Sequence, residues 1–261
     1  TYLDSIQTAN LPNLQTYITA NEINLCLSIQ TYQESIHSQS YSYILDTICS
    51  PEERTKILYM WKDDEHLLHR NEYIGEQYND FLEEDDEFNF MKALIANYIL
   101  EGIYFYSGFS FFYNLGRNGK MPGTVQEIRY INRDENTHLW LFRSLINDLR
   151  KERSDLFTQE HIKYYTAMLK EGVDQEIAWG KYAIGDNIVG LNGKMIEDYI
   201  KYLGNLRAKG LGFGNLYQGY DEVPDSMKWV EEYADPNQVK TDFFEAKVSA
   251  YSKSSIIEDD L

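Results

Sequence analysis

The chain has 261 residues, of which 42 are acidic and 24 basic, and its formal net charge is −18. Binding to nucleic acid or to an anionic membrane needs clustered cations, so this charge argues against both partners. Two cysteines are too few for a disulfide framework, and no basic and apolar leader opens the sequence. We therefore expect a cytoplasmic protein.

Stripes of apolar residues at helical spacing follow one another along most of the chain, whereas two-residue alternation is scarce. The stripes cover residues 23–48, 52–82, 94–115, 128–149, 159–183 and 195–209, and turn residues such as Ser50-Pro51 separate them. The pattern predicts an all-α protein with a single domain over residues 1–235. Residues 236–261 are polar and are predicted to form a flexible tail.

The apolar run at residues 93–115 is long enough to be tested as a membrane span. Glu101 lies near its middle, beside Asn97 and several serines, and such groups are costly in a bilayer. We interpret the run as a buried core helix and predict no membrane association.

Three of the apolar stripes carry charged residues at inward positions. Glu135 and His138 continue the stripe at 128–149, Glu34 and His37 continue the stripe at 23–48, and Glu101 lies on the stripe at 94–115. An ionised carboxylate in an apolar interior costs several kcal/mol or more unless it is paired or binds a metal. No lysine or arginine shares these inward positions, so the carboxylates need another counter-charge.

Glu-x-x-His spacing places an oxygen ligand and a nitrogen ligand on one helical face. Two such helices, with carboxylates from two further helices, build the dinuclear metal site of ferritin-like bundles. Two divalent ions would balance four carboxylates, and Asp4 in the segment YLDSIQ is the best candidate for the fourth. The alternative is a plain helical bundle in which these groups are satisfied core polar residues.

Four segments resemble the radical-generating small subunit of class I ribonucleotide reductase. They are YLDSIQ at 2–7, ESIHSQSY at 34–41, LEGIYFYSGF at 100–109 and IRYINRDENTHL at 128–139. A fifth and weaker match covers residues 188–207. The resemblance implies a ferritin-like helical bundle with a dinuclear metal site in its core.

The resemblance implies six metal ligands, three for each ion: Asp4, Glu34 and His37, then Glu101, Glu135 and His138. It also implies that Tyr41 is oxidised to a stable radical. Independently, Tyr41 follows His37 by four residues and so lies one turn further along the same helical face. Iron is the expected metal, with two manganese ions or a mixed manganese and iron pair as alternatives, since carboxylate-rich sites suit both metals.

Further roles follow from the same resemblance. Phe105, Phe109 and Ile131 match the apolar pocket around the radical, and Asp134 matches the carboxylate that accepts a hydrogen bond from a metal-bound histidine, here His37. Tyr251 resembles a relay tyrosine in the C-terminal tail, ahead of an acidic end that docks on the large subunit. A plain disordered tail is the alternative.

The resulting hypothesis is a homodimeric small subunit of ribonucleoside-diphosphate reductase, which passes a radical to a separate large catalytic subunit that makes deoxyribonucleotides. A dimetal oxidase or oxygenase on the same scaffold is the main alternative, and a ferritin-like metal-storage protein is another. The sequence begins three residues before Asp4, whereas the family has a substantial region there. We therefore expect a separate N-terminal polypeptide to complete the bundle, or else that the chain is a fragment.

Overall fold

A computed structural model describes residues 2–84 and 86–234, and within them the chain is helical with no β-strand. The all-α prediction is therefore confirmed. Short 3-10 turns occur at Met60–Lys62, Ser154–Phe157 and Asp225–Met227. The α-helices of these residues are α1 Tyr2–Tyr17, α2 Asn21–Ile48, α3 Pro51–Tyr59, α4 Glu65–Glu83, α5 Glu87–Gly102, α6 Tyr106–Arg117, α7 Pro122–Glu152, α8 Gln159–Ile184, α9 Gly193–Gly210 and α10 Lys228–Ala234.

Helix α5 is the centre of the bundle, and every residue from Asn89 to Gly102 on it is buried. Helices α1, α4, α7 and α8 pack against α5, while α2 packs against α1 and α7. A helix that is apolar around its whole circumference is stable only when neighbours cover all of its faces. This arrangement surrounds the inward carboxylates of α1, α2, α5 and α7 with protein.

Two of the predicted helices are divided in the structure. The stretch at 52–82 becomes α3, a 3-10 turn and α4, because the Asp64 side chain accepts hydrogen bonds from the backbone amides of His66 and Leu67 and so starts a new helix. The stretch at 94–115 is interrupted between α5 and α6 at residues 103–105. In the described part of the chain, no helix has the length and apolar character needed to cross a membrane.

Glycines on α8 allow it to approach its neighbours closely. A Cβ atom at Gly172 would lie 2.4 Å from Cγ2 of Ile99 on α5, and one at Gly180 would lie 2.5 Å from Oγ of Ser107 on α6. The contact of α8 with α5 and α6 therefore depends on the absence of side chains at both positions.

We expect Gly172→Ala to lower the free energy of unfolding by about 1–3 kcal/mol, because the added methyl group overpacks the contact with Ile99. Gly75→Ala is the matched control: Gly75 lies within α4 and has no atom within 4 Å of the position of an added Cβ. The control should raise stability by up to about 1 kcal/mol, since alanine favours helix. Urea unfolding measures both, and equal effects would contradict the close contact.

Candidate metal centre

The six ligands implied by the sequence come from four helices and converge in the core. Each of these residues is at most 2 % exposed. Residues three or four apart share one face of a helix, so each Glu-x-x-His pair points inward as a unit. Helix α1 contributes one ligand, α2 two, α5 one and α7 two: Asp4, Glu34, His37, Glu101, Glu135 and His138.

The ligands form two overlapping groups, and within each group the ligand atoms lie within 4.8 Å of one another. One group adds Asp4 and His37 to the pair Glu34 and Glu135. The other adds Glu101 and His138 to the same pair. The resemblance implies that each glutamate binds one ion only. In the structure, Glu34 and Glu135 belong to both groups.

Both histidines turn Nδ1 towards the carboxylates. Nδ1 of His37 lies 3.1 Å from Oε1 of Glu135 and 3.8 Å from Oε2 of Glu34. Nδ1 of His138 lies 3.0 Å from Glu135, 3.2 Å from Glu34 and 3.4 Å from Glu101. The two rings have their centroids 6.0 Å apart. Nδ1 is therefore the nitrogen that each histidine offers to an ion.

This donor set fits a pair of divalent cations. Nδ1 of His138 faces three carboxylates, but a single N–H can donate to only one of them at good geometry. Both carboxylate oxygens of Glu34 and Oε1 of Glu135 are buried, and each has a histidine Nδ1 at 3.1 to 3.8 Å. Oxygen-rich donors with two imidazoles suit iron and manganese. Buried carboxylates at this density are neutralised by protons or by bound cations.

The electrostatics of the cluster agree with this assignment. Burial raises the pKa of Glu135 well above its ordinary value, and the charges of Glu34 and Glu101 raise it further. Burial opposes the charged form of His37, but the hydrogen bonds and charges of Glu135 and Glu34 outweigh it and raise the pKa of His37 to about 11. Without ions the cluster therefore holds extra protons. Metal binding displaces such protons, which makes affinity rise with pH.

Polar side chains around the ligands hold them in place. Nε2 of His37 lies 3.3 Å from Oδ2 of Asp134, the contact that the resemblance implies. Nε2 of His138 lies 2.9 Å from Oε1 of Gln33. Oε1 of Glu101 accepts hydrogen bonds from two further amides, Gln7 and Gln30.

Sequence reasoning missed these glutamines, although a signal was present for Gln7 and Gln30. Gln30 lies four residues before Glu34 on α2, and Gln7 follows Asp4 by three residues on α1. A polar residue one turn from an inward ligand shares its face, so it is a candidate for contact with the cluster.

A network of buried charges supports the interruption between α5 and α6. A helix end leaves backbone groups without intrahelical partners, and these need hydrogen bonds when buried. Arg70 donates to the carbonyl of Tyr104 at 2.7 Å, and Arg207 donates to the carbonyl of Gly102 at 3.1 Å. Glu176 accepts from the amide of Ser107 at 3.0 Å and pairs with Arg70 at 2.6 Å. These contacts fix the backbone just after the ligand on α5.

Tyr41 is half-buried on α2, and it lines a cavity of about 240 Å³ together with Phe105 and Phe109. Burial raises the pKa of the Tyr41 hydroxyl well above its ordinary value, and the nearby charges of Asp4 and Glu135 raise it further. The raised pKa keeps the phenol protonated.

The predicted pocket residues are buried in the structure, whereas the predicted tail lies outside the described residues. Phe105 and Phe109 are buried and stack with ring centroids 5.9 Å apart, and Phe105 lies in the interruption between α5 and α6. Ile131 is buried on α7 within the hydrophobic core. Tyr251 and the tail at 236–261 lie outside the described residues.

Comparisons with known proteins agree on one family. The family model "Ribonucleotide reductase, small chain" matches residues 1–224. A ribonucleoside-diphosphate reductase subunit beta of Treponema pallidum is 65 % identical over 260 residues, covering 100 % of this chain and 74 % of that protein. The structure of a ribonucleotide reductase R2 subunit from Clostridium botulinum has a TM-score of 0.86 and 50 % identity, covering 90 % of this chain and 73 % of that one.

A more distant structure, described as dimanganese(II)-NrdF of Streptococcus sanguinis, has a TM-score of 0.71 at 22 % identity and covers 90 % of this chain and 79 % of that one. It supports the ferritin-like fold alone. The present chain spans about three quarters of the length of the relatives from Treponema and Clostridium. None of these comparisons supports the separate N-terminal polypeptide that the sequence analysis expects.

We expect Arg70→Met to lower the free energy of unfolding by about 3–5 kcal/mol, because it leaves Glu176 as an unpaired charge in the core. The double variant Arg70→Met/Glu176→Gln should recover a large part of the loss, since a neutral amide can still accept from Ser107. Arg54→Met breaks an exposed ion pair with Asp46 and should cost at most about 1 kcal/mol. Chemical denaturation tests all three, and a loss for Arg70→Met no larger than the control would contradict the role of the buried pair.

Proposed function

Because the chain belongs to the ribonucleotide reductase small-chain family, we propose that it holds two metal ions in its buried carboxylate and histidine cluster and stores a radical on Tyr41 for ribonucleotide reduction. The observation that carries this proposal is the convergence of six buried ligands in two overlapping groups that share Glu34 and Glu135. Shared carboxylates between two ion positions are what a coupled dinuclear centre requires.

Tyr41 has the surroundings that radical formation needs. When bound and oxidised by dioxygen or a reduced oxygen species, the ion pair would supply a one-electron oxidant for the neighbouring tyrosine. The Tyr41 phenol is held protonated, so its oxidation to a neutral radical releases one electron and one proton together. The carboxylates of Asp4 and Glu135, whose charges act on this hydroxyl, are the nearest class of group able to receive that proton.

The pocket beside Tyr41 supports storage of the radical. Phe105 and Phe109 present apolar rings to the cavity that Tyr41 lines. Ile131 is proposed to complete this apolar surrounding from α7. Excluding water and reductants protects a reactive intermediate from side reactions.

The choice of metal is a proposal that rests on ligand chemistry. Four carboxylates and two imidazoles suit iron and manganese, and availability commonly decides between such metals in cells. We favour two iron ions, with two manganese ions or a mixed pair as alternatives that metal analysis separates.

Two partners belong to this proposal. One is the large catalytic subunit, which receives the radical equivalent through Asp134, Tyr251 and the tail at 236–261, with residues 1–235 as the folded domain. The other is a second copy of the chain. The site of action is proposed to be the cytoplasm.

An exposed apolar stripe on α2 is the proposed homodimer surface. Leu25, Ile29, Tyr32, Ile36 and Tyr43 are between 38 % and 67 % exposed. Their spacings of four, three, four and seven residues place them on one face of the helix, as in helices that pair with another helix. Contiguous exposed apolar surface marks sites of protein association. A twofold axis would bring this face of one copy against the same face of the other.

We expect Tyr41→Phe to abolish turnover with the large subunit and to remove the tyrosyl signal in low-temperature electron paramagnetic resonance, while two ions per chain still bind. Phenylalanine lacks the O–H bond that oxidation breaks. Tyr59→Phe is the control, because Tyr59 is 56 % exposed on α3, outside the proposed homodimer surface. The control should retain both signal and turnover, and an unchanged signal in Tyr41→Phe would exclude Tyr41 as the radical site.

We expect Ile29→Glu to convert the dimer into a monomer in sedimentation velocity experiments. A twofold interface formed by the stripe would bury the new charge in both copies. Val189→Glu adds the same charge at a residue that is 80 % exposed on the connection between α8 and α9, and it should leave the dimer intact. A dimer that survives Ile29→Glu would show that another surface joins the copies.

A further inference from the structure

The two histidines of the cluster are supported by different acceptors. Nε2 of His37 faces a carboxylate oxygen of Asp134, whereas Nε2 of His138 faces the amide oxygen of Gln33. Both rings turn Nδ1 inward, so an ion on Nδ1 requires the proton on Nε2. That proton is then donated to Asp134 in one half of the cluster and to Gln33 in the other.

A carboxylate acceptor and an amide acceptor act differently on a metal-bound imidazole. A carboxylate that accepts the Nε2 proton raises the basicity of Nδ1 and strengthens its bond to the ion. The oxygen of an amide is neutral and has a weaker effect. Asp134 also pairs with Arg133, which is 54 % exposed, at 3.0 Å through its other oxygen.

The carboxylate ligands differ as well, and this difference also weakens the half of the cluster that contains Glu101 and His138. Gln7 and Gln30 both donate to Oε1 of Glu101, at 2.8 Å from Gln30. Gln7 is fixed in turn, because it accepts from the Tyr78 hydroxyl at 2.8 Å. Amide donors share the negative charge of the carboxylate with the ion, which lowers its strength as a ligand. All three glutamine contacts therefore lie in the half of the cluster that contains Glu101 and His138.

We infer that Gln33 is a positioning residue that makes the ion site of Glu101 and His138 the weaker of the two, so that the site of Asp4 and His37 fills first. Gln33 acts through His138 and touches no reacting group. The inference rests on the proposed function, since it requires two ion sites. Stepwise filling is the condition under which two different metals can be loaded into one cluster in a defined order.

Titration of the metal-free full chain with Mn²⁺, followed by electron paramagnetic resonance, tests the inference without any turnover assay. In the unaltered protein, the first equivalent should give the spectrum of isolated bound Mn²⁺. The second equivalent should replace that spectrum with one of a spin-coupled pair. The separation of the two binding constants is the measured quantity.

Two substitutions of Gln33 should move that separation in opposite directions. Gln33→Glu places a carboxylate behind His138 and should tighten the second step by about 10-fold, the lower end of the range for such outer contacts. Gln33→Met has similar length but no strong acceptor, and it should weaken the second step by a similar factor. Asp134→Asn should weaken the first step by about 10- to 100-fold and so bring the two constants together.

Gln159→Glu is the matched control, since it makes the same change of charge at an exposed residue at the start of α8, a helix that contributes no ligand. It should leave both constants as they are, and circular dichroism should show the same helix content for every variant. Binding constants that do not change in Gln33→Glu and Gln33→Met would overturn the inference, as would two sites of equal affinity in the unaltered protein. Binding of fewer than two ions per chain would overturn the proposed function as well.

Discussion

The architecture depends on a cluster of buried glutamates whose basic neighbours, in the described part of the chain, are histidines. In the described part of the chain, Glu34, Glu101 and Glu135 contact one another and two histidines but form no ion pair with lysine or arginine. Isolated buried charges cost several kcal/mol each. Protons can neutralise part of this buried negative charge, and the two proposed divalent ions would balance four carboxylates. Folding of the bundle and loading of the cluster are therefore linked equilibria.

The same core contains buried arginines, but they contact the backbone at the interruption between α5 and α6 and not the ligand carboxylates. Arg70 and Arg207 reach the interruption after α5 from two different helices, and each satisfies a carbonyl that the helix leaves open. Glu176 neutralises the first of these charges. The two arginines thus contact the backbone just after Glu101. An arginine that reached the cluster would pair with its carboxylates and compete with the proposed ions.

Much of the fold and of the site could be predicted because each ligand belongs to an apolar helical stripe. Glu135 and His138 interrupt a periodic face, and this local pattern is visible without any knowledge of neighbours. The pair Arg70 and Glu176 could not be found in this way, since the residues are 106 positions apart and meet only when α4 packs on α8. The division of the helix at Asp64 was missed because a capping side chain in an acidic stretch looks like a solvated surface residue.

Gln33 shows the limit of sequence patterns most clearly. A neutral amide beside a ligand leaves no charge imbalance to be noticed, and its effect depends on which histidine it meets across the bundle. Its neighbour on the chain is the ligand Glu34, yet its contact is with His138 on α7, 105 residues away. Conversely, His37 on α2 contacts Asp134 on α7, the residue that precedes the ligand Glu135. Each histidine is therefore supported by the residue that precedes a glutamate of the opposite helix. The two contacts have the same geometry, but one acceptor is a charged carboxylate and the other is a neutral amide. In this way two similar helical motifs can build two ion sites of different strength.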